Sequence, residues 1–144
     1  MKADPARLVR LKRLERMRNV ARQRALENVS SAEMHYTRLK DLAQRSGAMA
    51  QGFAGRIDAH DAGALRDLRA FHAALSELSQ TTAQDTASAR RSADARQAEL
   101  VRAERSRDLV TERLNSGLRN EEKNKTTKRL ADQAHLARSL NRFG

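Results

Sequence analysis

The sequence predicts an all-α protein: a long antiparallel two-helix coiled-coil hairpin, or rod, with a short extra helix as an option at the turn. Good helix formers (Ala, Leu, Arg, Glu, Gln and Lys) dominate, and only 3% of the residues are aromatic. Apolar residues recur at helical spacing in both halves of the chain, and glycines cluster between them. This composition can fill a narrow coiled-coil seam, but it lacks the bulk for a globular core. We therefore expect residues 1–144 to form one hairpin.

The first helix is predicted over about residues 4–45. Asp4 can cap its free N–H groups, and Pro5 is tolerated at the first helical position. The gaps along its apolar stripe are three or four residues, which is helical spacing. That stripe comprises Leu11, Leu14, Met17, Ala21, Ala25, Val29, Ala32, Tyr36, Leu39 and Ala43.

The turn is predicted within about residues 46–63, where glycines lower the helix propensity. Phe53 and Ile57 are candidates for an apolar plug at this end of the hairpin. A short third helix inside the same stretch is the alternative arrangement.

The second helix is predicted over about residues 64–141, with Asp61 as its cap. Its seam follows a seven-residue repeat, which predicts a left-handed supercoil. One set of seam positions is Leu65, His72, Ser79, Thr86, Ala93, Leu100, Arg107 and Leu114, and the other is Leu68, Leu75, Thr82, Ala89, Arg96, Ala103, Val110 and Gly117.

Two features of the second helix leave its pairing open. Its seam is made of small and polar residues between Ser79 and Arg96, so we expect that stretch to be exposed or reserved for a partner. The second helix is also much longer than the first. Its far end must therefore overhang, or bend to bring Leu130–Leu140 near the N-terminus.

Positive charge is concentrated at the two ends of the chain. The net charge is +11, and residues 1–24 carry nine Lys/Arg against two acidic residues, while residues 113–144 carry eight against three. An antiparallel hairpin brings these ends together, and an acidic partner would relieve their repulsion. The candidate binding residues for such a partner are Arg7, Arg10, Lys12, Arg13, Arg16 and Arg18.

The sequence carries no recognisable catalytic chemistry. There is no Cys, the four His are not spaced as helical metal ligands, and no phosphate-binding or nucleophile motif is present. We expect no enzyme activity, no cofactor and no metal. No run is long and apolar enough for a transmembrane segment, and no secretory signal is evident, so a cytoplasmic protein is expected.

A second candidate surface lies early in the second helix. Phe71, Leu75 and Leu78 share one helical face. They either cover the base of the hairpin or form an exposed apolar patch for a partner.

The order of these features resembles the flagellar export chaperone FliJ and its injectisome counterparts, the YscO-like stalk proteins. Residues 8–15, Leu-Val-Arg-Leu-Lys-Arg-Leu-Glu, resemble the start of that family, and Phe71-x3-Leu75 resembles an apolar pair early in its second helix. The basic first helix, the Gly-containing turn near one third of the chain and the longer second helix match as well.

The resemblance implies a non-enzymatic stalk of type III protein export, located in the cytoplasm and peripherally associated with the inner-membrane export apparatus. The end carrying both termini would enter the pore of a hexameric export ATPase through Arg7, Arg10, Arg13 and Arg16. Phe71 and Leu75 would contact the cytoplasmic linker of the export-gate membrane protein. Export chaperones are further candidate partners, and the free chain would be a monomer.

Two other functions fit parts of the sequence. A sequence pI near 11.2 is typical of a nucleic-acid-binding or architectural protein, although the chain has few aromatic residues for base stacking and we expect no specific nucleic acid. A structural coiled-coil homo-oligomer is the third possibility, and its mass in solution would distinguish it.

Overall fold

Two helices make up nearly all of the described chain. The computed structural model describes residues 4–54 and 61–143; within them α1 spans Pro5–Ala54 and α2 spans Ala62–Arg142. No strand occurs in these ranges. The prediction of an all-α two-helix hairpin is confirmed.

Aspartates cap the start of both helices. The Asp4 Oδ1 atom accepts a hydrogen bond from the Ala6 amide at 3.1 Å, and Asp61 Oδ1 accepts one from the Ala64 amide at 2.6 Å. Each carboxylate satisfies an N–H group that has no partner within its helix. Both predicted caps are therefore confirmed.

The first helix is longer than predicted. It continues to Ala54 rather than ending near Arg45, so Gly47 and Gly52 are helical and the predicted turn region begins too early. A glycine in a helix costs about 1 kcal/mol relative to Ala, which packing can offset. Gly47 indeed lies against Ser79 of α2, whose Oγ is 3.4 Å from the site a Cβ would occupy. Residues 55–60, including Ile57 of the predicted plug, lie outside the described residues.

The described chain divides into two compact units. The first unit combines α1 up to Gln23 with α2 from Arg102 onward, and the second combines α1 from Arg24 with α2 up to Val101.

In the first unit the two helical segments pair in antiparallel order. Leu8 packs on Gly117, where an added Cβ would stand only 2.7 Å from the leucine Cδ2. Arg22 Nε lies 3.8 Å from Glu104 Oε1. Both pairs have residue numbers that sum to 125 or 126, so each step forward on α1 is matched by a step backward on α2.

The second unit has the same antiparallel register. The Arg90 guanidinium lies 5.3 Å from the centroid of the Tyr36 ring, and the Phe53 and Phe71 rings meet edge to face at 4.9 Å. The residue numbers of these pairs sum to 126 and 124. The register therefore places the residue numbered near 125 − n on α2 opposite residue n of α1.

The predicted seam of α2 is confirmed with one exception. Of its sixteen predicted positions, only Arg96 is exposed; the others are buried or half-buried. Arg96 instead forms an ion pair at the surface with Glu99, at 3.1 Å. A long cation keeps its charged group hydrated by turning it away from an apolar seam.

The predicted stripe of α1 is wrong at Met17 and Ala21. Both are exposed, while the neighbouring Glu15 and Arg22 are half-buried. A stripe that follows only the apolar residues of α1 departs from a spacing of 3.5 residues at these two positions. Because paired helices supercoil, the contact face follows that repeat even where its residues are polar.

The middle of the α2 seam is buried or half-buried except at Arg96, which overturns the prediction that it is exposed or reserved for a partner. Ala93 has 0% of its surface accessible, and Thr82 and Ala89 are buried. Small side chains let the two backbones approach closely, so exposure falls although little apolar bulk is present. The Thr82 hydroxyl donates to the Leu78 carbonyl at 2.8 Å, which satisfies this buried polar group within its own helix.

The far end of α2 overhangs, which answers the question that the unequal helix lengths left open. The register places Pro5, the first residue of α1, opposite Asn120. From Glu122 to Phe143 every residue except the half-buried Ser139 is exposed. We call residues 121–143 the α2 extension; its helical part is about 33 Å long at 1.5 Å per residue.

Candidate partner-binding surfaces

The six predicted cations of the first helix all point into solvent. Each is exposed, and none forms an ion pair with any residue in 4–54 or 61–143. A few exposed arginines elsewhere in the described helices are paired with carboxylates one turn away, as Arg45 is with Asp41, but others such as Arg66 and Arg91 are not. The start of α1 differs in the density of its cations, with Glu15 as the acidic residue among them. This cationic start of α1 comprises Arg7, Arg10, Lys12, Arg13, Arg16 and Arg18.

The positive charge continues into the seam of the first unit. Arg18 falls on the seven-residue repeat of the α1 seam but is exposed, and the register places it opposite Arg107, whose guanidinium is held by Asp108 at 2.8 Å. Arg22, four residues further along, has a buried Nε atom that makes no hydrogen bond and has Glu104 as its ion-pair partner. Beside the cationic start of α1, the seam is therefore formed by charged side chains instead of apolar ones. We call these charged seam positions the polar layer.

The two cationic ends of the chain coincide over only part of their length. The register sets α1 residues 5–12 beside α2 residues 113–120. The remaining basic residues of the C-terminal segment, from Lys123 onward, lie on the α2 extension. The expectation that the two ends lie side by side is correct for the start of α1 and wrong for the extension. Because α2 is longer, it carries its last cations beyond the paired region.

An open groove runs between the first turns of α1 and the facing part of α2. Arg7 and Leu8 line it on one side, and Glu112, Arg113 and Gly117 line it on the other. Gly117 has no side chain and so leaves room for Leu8. The groove presents both charged and apolar groups, a combination suited to a protein partner.

The second predicted surface is only partly available. Leu75 is 8% exposed and belongs to the seam, so the prediction that it contacts a partner directly is corrected. Phe71 and Leu78 are 49% and 44% exposed. The Phe71 ring packs on Phe53, which leaves its outer side in solvent. The three residues therefore combine a buried anchor with a half-exposed apolar surface.

Sequence reasoning missed the contribution of α1 to this surface. Leu42 and Met49 are 44% and 58% exposed. Each directly precedes a seam residue, as Phe71 and Leu78 do on α2. In an antiparallel pair such flanking positions of both helices fall on the same side of the seam. A seven-residue repeat drawn on α1 would have revealed them.

The described residues contain no constellation for metal or cofactor chemistry. No group of three or more His, Asp and Glu side chains within residues 4–54 and 61–143 is arranged to hold a metal ion. Neither described helix has a stretch long and apolar enough to cross a bilayer.

Comparison of the chain with known protein families, curated proteins and solved structures finds no match.

Proposed function

We propose that this protein is a non-enzymatic stalk of a flagellar or injectisome protein export apparatus, which couples a hexameric export ATPase to the export gate. In this proposal it acts in the cytoplasm, at the inner-membrane export machinery. The observation that carries the proposal is the cationic start of α1: six exposed cations with no intramolecular carboxylate partner in the described chain.

The energetics favour an external anionic partner for this segment. Neighbouring cations on a helix repel one another, and carboxylates elsewhere on the two helices relieve such repulsion. Asp4 and Glu15 are the acidic side chains described within residues 4–24. Binding to an acidic protein surface would replace solvent screening by direct charge pairing and would also raise the rate of encounter.

The second contact of the proposed stalk is the half-exposed apolar surface of the second unit. Phe71 and Leu78 supply it from α2, with Leu42 and Met49 beside them. Aromatic and large aliphatic side chains of this kind are frequent anchors in protein interfaces. We assign this surface to the export gate and the cationic start of α1 to the ATPase.

The proposal is tested with the hexameric export ATPase and the gate's cytoplasmic domain from the same organism. We expect the triple variant Arg10→Glu/Arg13→Glu/Arg16→Glu to lose ATPase binding and any stimulation of ATP hydrolysis, because it reverses half of the cationic start. Its matched control, Arg66→Glu/Arg69→Glu/Arg91→Glu, changes the net charge equally at exposed sites of α2 and should retain both properties.

Equal binding by the two triple variants would contradict the assignment. Selective binding of the wild-type chain to one nucleic-acid sequence or structure would favour the alternative, a basic nucleic-acid-binding protein. Binding to DNA that only falls steeply with salt would not, since any clustered cations produce it.

A further inference from the structure

The α2 extension is amphipathic on a face that has no role in the hairpin. Continuing the seven-residue repeat past Gly117 places the seam at Glu121, Asn124, Lys128, Ala131, His135, Arg138 and Arg142. All but one of these are polar. Continued along the extension, the seam would therefore bury little apolar surface.

Its apolar residues lie on the outward side instead. At 3.6 residues per turn, those of the last fourteen residues, except Ala131 at the seam, fall within an arc of about 180°, with Phe143 placed by continuing the helix one residue past its end at Arg142. They are Leu130, Ala134, Leu136, Ala137, Leu140 and Phe143. The four large ones are 61%, 63%, 68% and 93% exposed, in chain order. Gln133 and Asn141 are the polar residues within this arc, and we call the arc the outward apolar face.

The charge of the extension is positive and surrounds the helix. Its cations are Lys123, Lys125, Lys128, Arg129, Arg138 and Arg142. Asp132 is the acidic residue after Glu122, and Lys125 is paired with Glu121 at 3.7 Å. The polar side opposite the outward apolar face carries Arg138, Arg142 and His135. Within residues 130–143 the large apolar side chains lie on one side and both arginines on the other, which is the pattern of helices that lie in a membrane interface. Lys123, Lys125 and Arg129 lie in the sector of the apolar face, but on earlier turns of the helix.

We propose that the α2 extension binds the surface of an anionic lipid bilayer, with the outward apolar face inserted among the acyl chains and the arginines held at the headgroups. Long cationic side chains can reach the headgroups while their stems stay in apolar contact. This inference does not depend on the proposed function.

A bilayer fits this segment better than a protein groove does. A groove contacts a narrow stripe and requires acidic groups at matched positions. Here the apolar arc is wide, and cations lie on all sides of the helix, so a broad anionic surface attracts it in any orientation. A second copy of the chain would bring two positive extensions together, which charge repulsion opposes.

The test uses the full chain and co-sedimentation with lipid vesicles. We expect the wild-type protein to bind phosphatidylcholine vesicles that contain phosphatidylglycerol, and to bind pure phosphatidylcholine vesicles much more weakly. The variant Leu136→Gln/Leu140→Gln should lower the partition coefficient about tenfold or more, since it removes half of the large apolar side chains. Arg138→Gln/Arg142→Gln should lower it several-fold and weaken its salt dependence.

The matched control is Val101→Gln/Leu109→Gln, which polarises two exposed residues of the paired part of α2 and should bind as the wild type does. The proposal is overturned if the wild type does not bind anionic vesicles. It is also overturned if the Leu136/Leu140 variant binds like the control, because the cations of α1 would then explain binding. A mass above that of one chain, lost in the same variant, would identify a second copy as the occupant.

Discussion

Small residues at the middle of the seam determine how closely the helices approach, and Ala93 is the clearest case. It is fully inaccessible, and the register places it opposite Ala32. A larger side chain at the fully inaccessible Ala93 would have to displace its neighbours, because protein interiors are close-packed. Each Ala removes little apolar surface from water by itself, so this part of the pair depends on backbone proximity rather than on bulky anchors.

Ala93→Leu should therefore destabilise the protein by about 1–3 kcal/mol, since the added atoms would force the helices apart. Ala98→Leu is the matched control, because Ala98 is exposed and helix propensity differs little between Ala and Leu. Urea unfolding followed by far-UV circular dichroism measures both. Similar stabilities of the two variants would contradict the close approach at Ala93.

Replacing glycine by alanine should have different effects on stability at Gly52 and at Gly117, because only Gly117 is closely packed. Gly52 has no atom within 4 Å of an added Cβ, so Gly52→Ala should raise the free energy of unfolding by about 0.5–1 kcal/mol. At Gly117 the Cβ would stand 2.7 Å from Leu8 Cδ2. The gain in helix propensity would therefore be offset by the cost of displacing the buried Leu8 side chain. Gly117→Ala should stabilise less than Gly52→Ala, or destabilise. Urea unfolding ranks the two variants, and a larger gain at Gly117 would contradict this packing.

At the scale of the elements, the α2 seam was predictable except at Arg96, and the α1 seam was predictable except near Met17 and Ala21, for a physical reason. In α2 the apolar and small residues keep a strict seven-residue repeat, so sequence alone identifies the face. In α1 the repeat passes through Glu15, Arg18 and Arg22, and a stripe drawn through apolar residues leaves it. The end of α1 does not follow from glycine propensity alone, because Gly47 packs on Ser79 within the helical pair.

The candidate binding surfaces were likewise predictable from the sequence only in part. Exposure of the cationic start of α1 follows from charge, because an unpaired cation is costly to bury. Sequence could not decide whether Leu75 is covered, since its burial depends on which α1 residue lies opposite. The register supplies that residue, Ala50, which is itself buried.

The ion pair in the polar layer of the first unit should contribute little to the free energy of unfolding. Arg22 and Glu104 are both more than one third exposed, so a double-mutant cycle with Arg22→Met and Glu104→Gln should give a coupling of about 0.2–1 kcal/mol. Glu104→Gln alone should cost more than Arg22→Met alone, because it leaves the buried Arg22 Nε without its charged partner. Urea unfolding gives all four stabilities, and the reverse order would show that the pair does not act as a unit.

At the scale of the whole molecule, the part of α2 that pairs with α1 and the α2 extension differ in what they contribute to folding. Residues facing α1 contribute buried surface to folding. The α2 extension contributes little, since it has no α1 residue opposite, and its exposed cations and leucines are available for binding. A long helix can carry such a segment because each added residue extends an existing helix and pays no new nucleation cost.

Truncation after Asn120 should therefore leave the free energy of unfolding within about 0.5 kcal/mol of the full chain, because surface residues without tertiary contacts contribute little. The midpoint of urea unfolding measures this, and far-UV circular dichroism should show a loss of helix signal confined to the deleted residues. Deletion of residues 1–23 is the control: it removes the partner of α2 residues 102–120 and so exposes Leu114 and Val110, which are buried. That deletion should lower the midpoint clearly. A comparable fall after truncation at Asn120 would mean that the α2 extension makes contacts that stabilise the fold.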